Sequence, residues 1–440
     1  MIFMNANKSP STTAMQPSSK VSGTQQALVM LLIITLIVSF CGCRNEKQDG
    51  TVHGDYVTVP VFDKIKESLG NRELSLSTIV QGNSELSLST FVEKIDIIPL
   101  EFTDDCILSE INKVVIHDNN IFIMERNSNS CKIYRFDMQG NFLNSIGSPG
   151  QGPQELLALE DFSINEDNNT VYILDNVKQM IYHFDFNGRF IERIVIDPDA
   201  DRFEYKNGLF YIYCDHPNEG EYLFNLIIRN IKGDVLAVYF PSKQYISTTS
   251  AKPFTKTNNA LLFNPTFDYM VYELNEDSLK NLFLFDFGSY RFTQEEIDDT
   301  YMMRKRTIDI LLNNERFSDI DDICYVGKWI YFNAVYKFFP YSFLYDTNKN
   351  EIDVAERLID DIEYMFSDNK FYGQTQDALI GCFVPETSLN HILERFSNYD
   401  ILPHIPRDIK DKQLKKVKSI MRGDKQNDMN PWILLYYLKD

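Results

Sequence analysis

One segment that occurs twice decides the fold. Val114–Ile146 reads VVIHDNNIFIMERNSNSCKIYRFDMQGNFLNSI, and Phe162–Ile194 reads FSINEDNNTVYILDNVKQMIYHFDFNGRFIERI. Each copy has a polar Asn/Asp turn, a short apolar strand and a second strand that ends in Phe-Asp-x-x-Gly-x-Phe. The second copy begins 48 residues after the first (114 to 162). A repeat of this length that is built from short strands is typical of a β-propeller.

The same spacing continues along the chain and predicts an all-β fold, a six-bladed β-propeller with short helical insertions and a C-terminal helical segment. Turn residues and apolar runs recur about every 45 residues, the size of a four-stranded blade. Five blades are predicted at 111–147, 161–195, 202–240, 258–290 and 319–358. A sixth should start near residue 361 and use both chain ends, Phe91–Leu100 and Trp432–Leu438 (WILLYYL). Pairing the two ends would remove the open edge of the array.

Two helical insertions are predicted, at about 294–313 and 387–421. Within the second, the pattern over Ile409–Met421 is amphipathic, with an apolar face (Leu414, Val417, Met421) opposite a basic one (Lys412, Lys415, Lys416, Lys418, followed by Arg422). We interpret the basic cluster as a solvated helix face. The alternative is a surface that docks a partner or a polyanionic glycan.

The N-terminus predicts export and lipid attachment. Ala27–Gly42 is a run of 16 apolar or small residues that follows two lysines and no acidic residue, which suits a signal peptide. The run ends in Phe40-Cys41-Gly42-Cys43, which resembles the lipobox of bacterial lipoproteins. We therefore expect a lipoprotein signal peptide at 1–42, a lipid on Cys43, and a tether and lead-in at 43–90 before the propeller at 91–440. An uncleaved anchor and an ordinary secretory signal are the alternatives.

Charge limits the partners. The net charge is −20, and it becomes −22 once residues 1–43, which carry Lys8 and Lys20, are removed. Such an acidic protein repels phosphate backbones, so nucleic-acid binding is excluded. We expect the partners to be an envelope protein or a glycan, and the lipid bilayer through Cys43. Arg44 follows the lipid-accepting cysteine, so the Asp that retains lipoproteins in the inner membrane is absent, and we expect the outer membrane.

Candidate metal and nucleophile sites are weak. The five cysteines beyond residue 43 are scattered, which argues against a zinc site and against a disulfide scaffold. We expect these cysteines to be buried as small apolar residues, with a Cys106–Cys131 bridge as the alternative. Asp197, Asp199 and Asp201 start like a calcium-binding EF-hand loop, but Arg202 and Gly208 occupy the positions of its Gly and Glu. No cofactor is expected, and calcium at these three aspartates is kept as a secondary hypothesis.

Two further motifs are interpreted as structural. Gly147, Gly150 and Gly152 match no phosphate-binding pattern, so they predict a crossover between blades, with an anion cradle as the alternative. Cys214 precedes Asp215-His216, but neighbouring residues on a strand point to opposite faces, which makes a Cys-His pair geometrically poor.

A family resemblance rests on five stretches taken together. They are Ile97–Glu101 (IIPLE), Ile146–Glu155 (IGSPGQGPQE), Phe263–Phe267 (FNPTF), Phe285–Gly288 (FDFG) and Pro431–Leu438 (PWILLYYL). The chain resembles, over 91–440, the six-bladed β-propeller lipoproteins of Gram-negative bacteria, which are related to NHL and TolB-like propellers. This resemblance implies a propeller on a lipid tether and no catalytic residues. We therefore expect a binding or scaffolding module of the cell envelope. The alternative is a propeller hydrolase or lyase that acts on a glycan or lactone at the channel mouth.

Overall fold

The structure is a computed structural model, and its described residues all lie in one compact unit, 49–440. They are 52–53, 57–59, 85–108, 111–125, 131–196, 200–214, 224–241, 252–257, 259–266, 268–276, 278–293, 295–296, 316–336, 339–364, 370–384, 393–394, 396–398, 400, 405–420 and 430–440.

The described residues contain twenty-eight strands and one longer helix. In chain order the strands are β1 (Val52–His53), β2 (Val57–Val59), β3 (Glu85–Ser87), β4 (Val92–Pro99), β5 (Ile111–His117), β6 (Asn120–Glu125), β7 (Ile133–Asp137), β8 (Phe142–Ile146), β9 (Asp161–Asn165), β10 (Thr170–Asp175), β11 (Met180–Asp185), β12 (Phe190–Val195), β13 (Arg202–Lys206), β14 (Leu209–Tyr213), β15 (Phe224–Asn230), β16 (Val235–Pro241), β17 (Phe254–Lys256), β18 (Leu261–Phe263), β19 (Met270–Leu274), β20 (Leu279–Phe285), β21 (Phe317–Val326), β22 (Trp329–Tyr336), β23 (Phe339–Asp346), β24 (Glu351–Ala355), β25 (Arg357–Ile359), β26 (Gly373–Gln374), β27 (Ala378–Phe383) and β28 (Trp432–Leu438). The helix is α1 (Arg407–Ile420), and Leu88–Thr90 and Gly288–Tyr290 are short 3-10 turns.

The strands form six antiparallel blades, which confirms the predicted fold. Blades 1 to 5 are β5–β8, β9–β12, β13–β16, β17–β20 and β21–β24, each in simple up-and-down order. Blade 6 has the order β26-β27-β28-β4. The predicted bounds of blades 1 to 3 agree with the structure, whereas blade 4 starts at Phe254. The inner strand of blade 6 starts at Gly373 rather than near 361, because the residues after blade 5 form β25, which pairs with β3.

Both chain ends close the ring inside blade 6, as predicted. β28 lies between β27 and β4, and Trp432 faces Pro99 while Tyr436 faces Ile95. Asn430, buried just before β28, accepts the N–H of Leu108 (2.7 Å) and donates to the carbonyl of Cys106 (2.9 Å). The N- and C-terminal segments are thus joined both by the β-ladder between β28 and β4 and by the Asn430 side chain. This join closes the ring of blades.

Six hydrophobic clusters hold the blades together, one at each interface between neighbours. A middle strand serves two interfaces because its side chains alternate. In β10, Val171 and Ile173 pack toward blade 1, whereas Tyr172 and Leu174 pack toward blade 3. This double burial explains why β10, β14 and β27 are apolar runs that lack the polar alternation of a half-exposed strand.

The repeated Phe-Asp-x-x-Gly motif is a turn between the third and fourth strands of a blade. Oδ1 of Asp137 accepts the N–H groups of Gln139 and Asn141 (both 2.9 Å), and Gly140 has a φ of +84°. Asp185 does the same in blade 2. Blade 3 lacks the Asp, but Asn230 supplies the same acceptor to Lys232 and Asp234. A short side-chain oxygen followed by a residue with positive φ is therefore what the turn requires.

Part of the predicted tether pairs with the propeller. β1 and β2 lie parallel to β20, the outer strand of blade 4, and β3 lies parallel to β25. The Ser89 hydroxyl and backbone N–H both donate to Asp361, which fixes the chain just before it enters β4. The predicted signal peptide and Cys43 lie outside the described residues.

The helical predictions are met in part. α1 falls within the predicted 387–421 segment, and 393–394 and 396–397 are also helical. Of the predicted 294–313 helix only 295–296 are described, and these are helical. α1 packs through Val417, Leu414 and Ile420 on the cluster between blades 5 and 6. Within the described residues, no helix combines the length and the hydropathy needed to cross a membrane.

Candidate functional site

The innermost strands of the six blades surround a central channel. They are β5, β9, β13, β17, β21 and β26, and all run in the same direction. We call the face where they begin the upper face and the face where they end the lower face. A cavity of about 860 Å³ lies between them and is lined by residues of all six blades. The β27–β28 connection, which contains α1, leaves blade 6 at the upper face because β27 runs upward.

A lysine from blade 4 crosses the channel near its lower end. The ammonium of Lys256 contacts Glu166 (3.0 Å) and Glu204 (3.6 Å) and donates to the carbonyls of Ile164 and Tyr205 (3.2 and 3.3 Å). These partners belong to blades 2 and 3. Burial alone would lower the pKa of Lys256, but the Glu204 and Glu166 carboxylates outweigh it and raise that pKa. The ammonium is therefore held in its charged form.

Gln374 continues this cross-tie through blades 5 and 6. Its side-chain N–H donates to the carbonyls of Lys256 (3.1 Å) and Tyr325 (3.0 Å), and its oxygen accepts the Tyr325 N–H (2.5 Å). Together Lys256 and Gln374 link five of the six blades by side-chain bonds across the channel.

A second lysine, Lys113 of blade 1, contacts residues of blades 2 and 3. The ammonium of Lys113 contacts Asp161 (2.8 Å) and the carbonyl of Phe162 (2.6 Å), and lies 4.0 Å from Glu204. Asp161 also accepts the N–H of Phe203 (3.0 Å), and Glu204 accepts the hydroxyl of Ser163. The channel carboxylates are thus occupied by lysines, a hydroxyl and backbone N–H groups.

The upper mouth holds a third lysine, half-buried beside two adjacent aspartates. The ammonium of Lys252 contacts Asp322 (2.7 Å) and the carbonyl of Phe371 (2.7 Å), so it joins blade 4 to blades 5 and 6. β21 bulges here, and Asp322 has a φ of +54°, a region that non-glycine residues rarely adopt. Bulges and positive φ at a channel mouth are common where a side chain is held for function.

The electrostatics of this mouth are strongly perturbed. Burial alone would lower the pKa of Lys252, but the Asp322 carboxylate outweighs it and raises that pKa. Burial, and then the charge of Asp322, raises the pKa of Asp321 to about 6. Asp321 is therefore a carboxyl group that changes charge near neutral pH, whereas Lys252 stays protonated.

Replacing Asp321 with Asn should change the pH dependence of stability. The folded-state pKa exceeds the unfolded value, so the unfolded chain releases this proton first and stability falls as pH rises from about 4 to 6. The Asp321→Asn variant lacks this loss. We expect it to gain about 3 kcal/mol on the wild type between pH 4 and pH 7, from roughly 2 pKa units. Chemical denaturation at several pH values measures the difference.

The control for this experiment is Asp137, a carboxyl group with the opposite shift. Burial opposes the shift, but hydrogen bonds from Asn141 and neighbouring N–H groups lower the pKa of Asp137. Its contribution to stability is present above the unfolded pKa and is lost as pH falls, so Asp137→Asn should be the less stable protein at pH 7. Parallel pH curves for Asp321→Asn and wild type would contradict the assignment at the channel mouth.

The Gly-rich loop encloses a cation, not an anion. The ammonium of Lys178 donates to the carbonyls of Glu155 (2.6 Å), Gly152 (3.0 Å) and Gly150 (3.4 Å). The Gly152 N–H donates to the Glu155 carboxylate (2.8 Å), so it is not free to hold a phosphate. Gly147, with a φ of +86°, begins this loop between blades 1 and 2. The predicted crossover is confirmed, and the anion cradle is wrong.

Replacing Lys178 with Met should loosen this crossover. Three carbonyl groups would lose a charged donor, and hydrogen bonds to charged groups contribute about 1.5–3 kcal/mol. We expect a loss of about 2 kcal/mol in the free energy of unfolding. Lys232→Met, at an exposed turn of blade 3, is the matched control and should change stability by less than about 0.5 kcal/mol. Equal losses in the two variants would show that the carbonyl cage contributes nothing.

The calcium hypothesis stays a prediction. Asp197 and Asp199 lie outside the described residues, and Asp201 begins the approach to blade 3, where its N–H donates to the Tyr213 carbonyl (2.9 Å). Within the described part of the chain, no group of three or more His, Cys, Asp or Glu side chains could hold a metal ion.

The five cysteines are free thiols, and each is buried. The predicted burial is therefore confirmed, and the alternative Cys106–Cys131 bridge is wrong. Burial raises the pKa of both Cys106 and Cys324 to about 12, which keeps them unreactive thiols. Cys214 directly follows β14 and lies inside the cluster between blades 2 and 3, whereas Asp215 and His216 lie outside the described residues.

The basic face of α1 is partly confirmed. Lys412, Lys415 and Lys418 are exposed, while Lys416 pairs with Glu363 (2.7 Å). Arg422 lies outside the described residues. Asp408 in the first turn and Lys418 in the last turn match the helix dipole, which favours the structural interpretation of these charges.

Sequence reasoning missed the channel residues Lys113, Lys252, Lys256 and Gln374. The sequence offered only a weak indication of them: each is a polar residue in or next to the first strand of a blade. The first strand faces the channel, so its polar positions can point inward and still be satisfied. Finding them required knowing which strand of each blade is the innermost one.

The family assignment follows from the full sequence. The profile of a domain of unknown function, DUF4934, matches residues 72–437. The chain belongs to the DUF4934 family. The DUF4934 match includes all six blades and α1, so the described channel is part of the family's domain. A search among curated proteins finds none that matches this sequence.

Three of the solved structures that match this chain come from bacteria. A Bacteroides fragilis protein whose name describes it as exported matches with a TM-score of 0.66 and 14% identity, over 81% of this chain and 99% of that one. A DUF4221 family member from Bacteroides vulgatus matches with a TM-score of 0.46 and 10% identity, over 79% and 97%. BamB from Moraxella catarrhalis matches with a TM-score of 0.36 and 12% identity, over 65% and 72%. At these identities, the first similarity supports the fold alone.

Proposed function

We propose that this DUF4934 protein is a lipid-anchored module of the cell envelope that binds a protein or glycan partner at the upper mouth of its channel. One observation carries the proposal: six blades enclose a cavity of about 860 Å³, within the size range of ligand sites. The β27–β28 connection, which contains α1, also leaves blade 6 at the upper face. Connections of this kind vary most among propellers and form recognition surfaces.

The state of the channel carboxylates supports binding over catalysis. Asp161 and Glu204 each accept bonds from a lysine and from a second donor. A general base must reach the proton that it removes, so carboxylates held this way are better suited to bracing the ring.

The envelope location is supported by two independent observations. The similar protein from Bacteroides fragilis is named as exported. The apolar run Ala27–Gly42, which ends before Cys43, fits a lipoprotein signal, and Arg44 fits the outer membrane. Lipid attachment at Cys43 is part of the proposal.

Site-specific photo-crosslinking in intact cells tests the proposal. A photoreactive residue is placed at 370 or 112 on the upper face and, as controls, at 119 or 232 on the lower face. We expect the two upper positions to yield the same envelope protein or glycan adduct and the lower positions to yield none. Adducts at the lower positions alone, or none at all together with a negative glycan array, would refute the proposal.

A hydrolase or lyase is the second candidate, and Asp321 is the observation that favours it. Asp321 adjoins Asp322, the partner of the cavity-lining Lys252, and a carboxyl group with a pKa of about 6 can exchange protons in weakly acidic solution. Such an enzyme should cleave a member of a glycan or lactone panel, and Asp321→Asn should abolish that turnover while leaving the fold intact. If the protein cleaves no member of the panel, the enzyme hypothesis is refuted and the binding module remains the proposed function.

A further inference from the structure

Two lysines at the upper mouth share one aromatic ring. The ammonium groups of Lys252 and Lys370 lie over the ring of Tyr372, 5.6 and 5.2 Å from its centre. Lys252 comes just before the inner strand of blade 4, and Lys370 and Tyr372 come just before the inner strand of blade 6. Because the inner strands begin at the upper face, two blades bring their positive charges to the same place.

Only part of this positive charge is paired. The Lys252 ammonium contacts the Asp322 carboxylate (2.7 Å) and the Phe371 carbonyl (2.7 Å), which leaves one of its three N–H groups for another partner. Lys370 is half-buried, and none of the described carboxylates forms an ion pair with its ammonium. The upper mouth therefore has N–H donors and positive charge that a ligand can use.

The surroundings of the two lysines suit a ligand that carries one acidic group and several hydroxyl groups. Lys252 and Tyr372 line the cavity, as does Asn112 of blade 1, whose side-chain amide has no hydrogen-bond partner among the described residues. An amide both donates and accepts, as a sugar hydroxyl does. The net charge of −20 repels polyanions, so the two lysines favour a single carboxylate on a short chain.

We propose that the upper mouth binds a short glycan through a uronic acid, whose carboxylate lies between the ammonium groups of Lys252 and Lys370. This inference rests on the proposed binding function and names the chemistry of the partner. Charge-assisted hydrogen bonds from ammonium to carboxylate are stronger than neutral ones. Cation–π attraction to Tyr372 holds both ammonium groups in place before the ligand arrives, which lowers the ordering cost of binding.

Asp321 makes this site sensitive to pH. The charged groups that act on its carboxyl are Asp322, Lys252 and Lys370. Two further titratable groups nearby, Cys324 and Tyr331, stay neutral because burial raises the pKa of both. Burial, and then the charge of Asp322, raises the pKa of Asp321 to about 6. In weakly acidic solution Asp321 therefore loses its negative charge, and the two lysines attract a ligand carboxylate more strongly.

Calorimetric titration of the full chain with a matched pair of disaccharides tests the proposal. Cellobiouronic acid carries one carboxylate, which stays ionised between pH 5.5 and 7.5, and cellobiose is its neutral counterpart. At pH 5.5 we expect cellobiouronic acid to bind at least about tenfold more tightly than cellobiose. We also expect its affinity to fall about tenfold between pH 5.5 and pH 7.5, as Asp321 ionises. Equal affinity for the two sugars would overturn the proposal.

Three variants assign the effect to these residues, and thermal unfolding verifies that each is folded. Lys370→Met should weaken the binding of cellobiouronic acid about tenfold at pH 5.5, whereas Lys232→Met on the lower face should leave it unchanged. Asp321→Asn cannot titrate, so its affinity should be the same at both pH values. Wild-type affinity in Lys370→Met would refute the site.

Two further measurements separate this inference from the proposed function. An acetylated alanine tripeptide carries the same single carboxylate, and tighter binding of this peptide than of the sugar would refute the glycan assignment. Photo-crosslinking in cells at position 112, which keeps both lysines, tests the binding module itself. A protein adduct at 112 without any binding of cellobiouronic acid would refute the uronic-acid site and leave the proposed function standing.

Discussion

A chain that ends before Pro431 should not form a folded propeller. This truncation removes β28, which pairs with β27 on one side and with β4 on the other. It also removes five buried side chains, those of Trp432, Ile433, Leu434, Leu435 and Tyr436. Burial of a large apolar side chain contributes about 1.5–3 kcal/mol, so their sum approaches the 5–15 kcal/mol that stabilises a typical domain. Circular dichroism, thermal unfolding and proteolysis of the purified chain measure the outcome.

The control for this truncation is a chain that ends at Leu438. It keeps the whole ladder of β28 but loses four hydrogen bonds of the last two residues. The Lys439 carbonyl accepts from the Trp329 indole (2.8 Å), the Lys439 N–H and ammonium donate to the carbonyls of Phe91 (2.8 Å) and Ser89 (2.5 Å), and the Lys328 ammonium donates to Asp440 (2.6 Å). We expect a folded protein that is less stable by about 2–4 kcal/mol. A graded variant, Trp432→Ala, should lose about 3–5 kcal/mol, since this ring is buried against Phe383. A cooperative transition at the wild-type temperature in the chain without β28 would show that ring closure is dispensable.

Replacing Lys256 with Met should cost about 2–4 kcal/mol of stability, because a half-buried ammonium with two carboxylate and two carbonyl partners is removed. Glu166 and Glu204 would lose their shared cation, and the carbonyls of Ile164 and Tyr205 would lose a donor. The pKa of Lys256 is raised, so its contribution is complete at neutral pH and is lost only as pH rises through the folded-state pKa. Denaturant titration at pH 7 measures the loss.

Lys280→Met is the matched control for Lys256. Lys280 lies on the outer strand of the same blade, and its half-exposed side chain is 3.8 Å from Glu273. Exposed pairs contribute about 0–1 kcal/mol, so this variant should stay close to wild type. A small loss at Lys256, similar to that at Lys280, would mean that the cross-tie does not brace the ring.

The fold could be predicted from the sequence because each blade repeats the same local requirements. The apolar runs of the middle strands reflect burial against two neighbours, and Asp137 and Asp185 mark the turns that follow third strands. Blade 3 has Asn230 at the position of the Asp, and the Asn230 side chain accepts the same backbone N–H groups. The motif of blade 3 therefore differs in sequence but forms the same turn. The pairing of the chain ends was also predictable, since WILLYYL is too apolar for any place but a buried strand.

Local turn chemistry was less reliable where two signals overlapped. An Asn-Gly pair between two strands predicts a type I′ hairpin, in which both residues have positive φ. Asn207-Gly208 forms this hairpin. Asn187-Gly188 does not, because Asp185 accepts the N–H groups of Asn187 and Arg189, and only Gly188 has positive φ. The start of blade 6 was misplaced because β25 has strand-like residues but pairs with β3 outside the six blades.

The sequence by itself determined the repeating blade, its turns and the closure by both chain ends, since these depend on periodic burial and on residues close together in the chain. Only the tertiary structure decided which polar side chains meet. Lys256 bonds to Ile164, Tyr205 and Glu166, and Lys252 bonds to Asp322 and Phe371, partners that are distant in the chain. The six inner strands surround one channel, and charged side chains that look solvated in the sequence are paired there. The inner strands come together only when the ring closes, so the sequence of a single blade does not show these pairs.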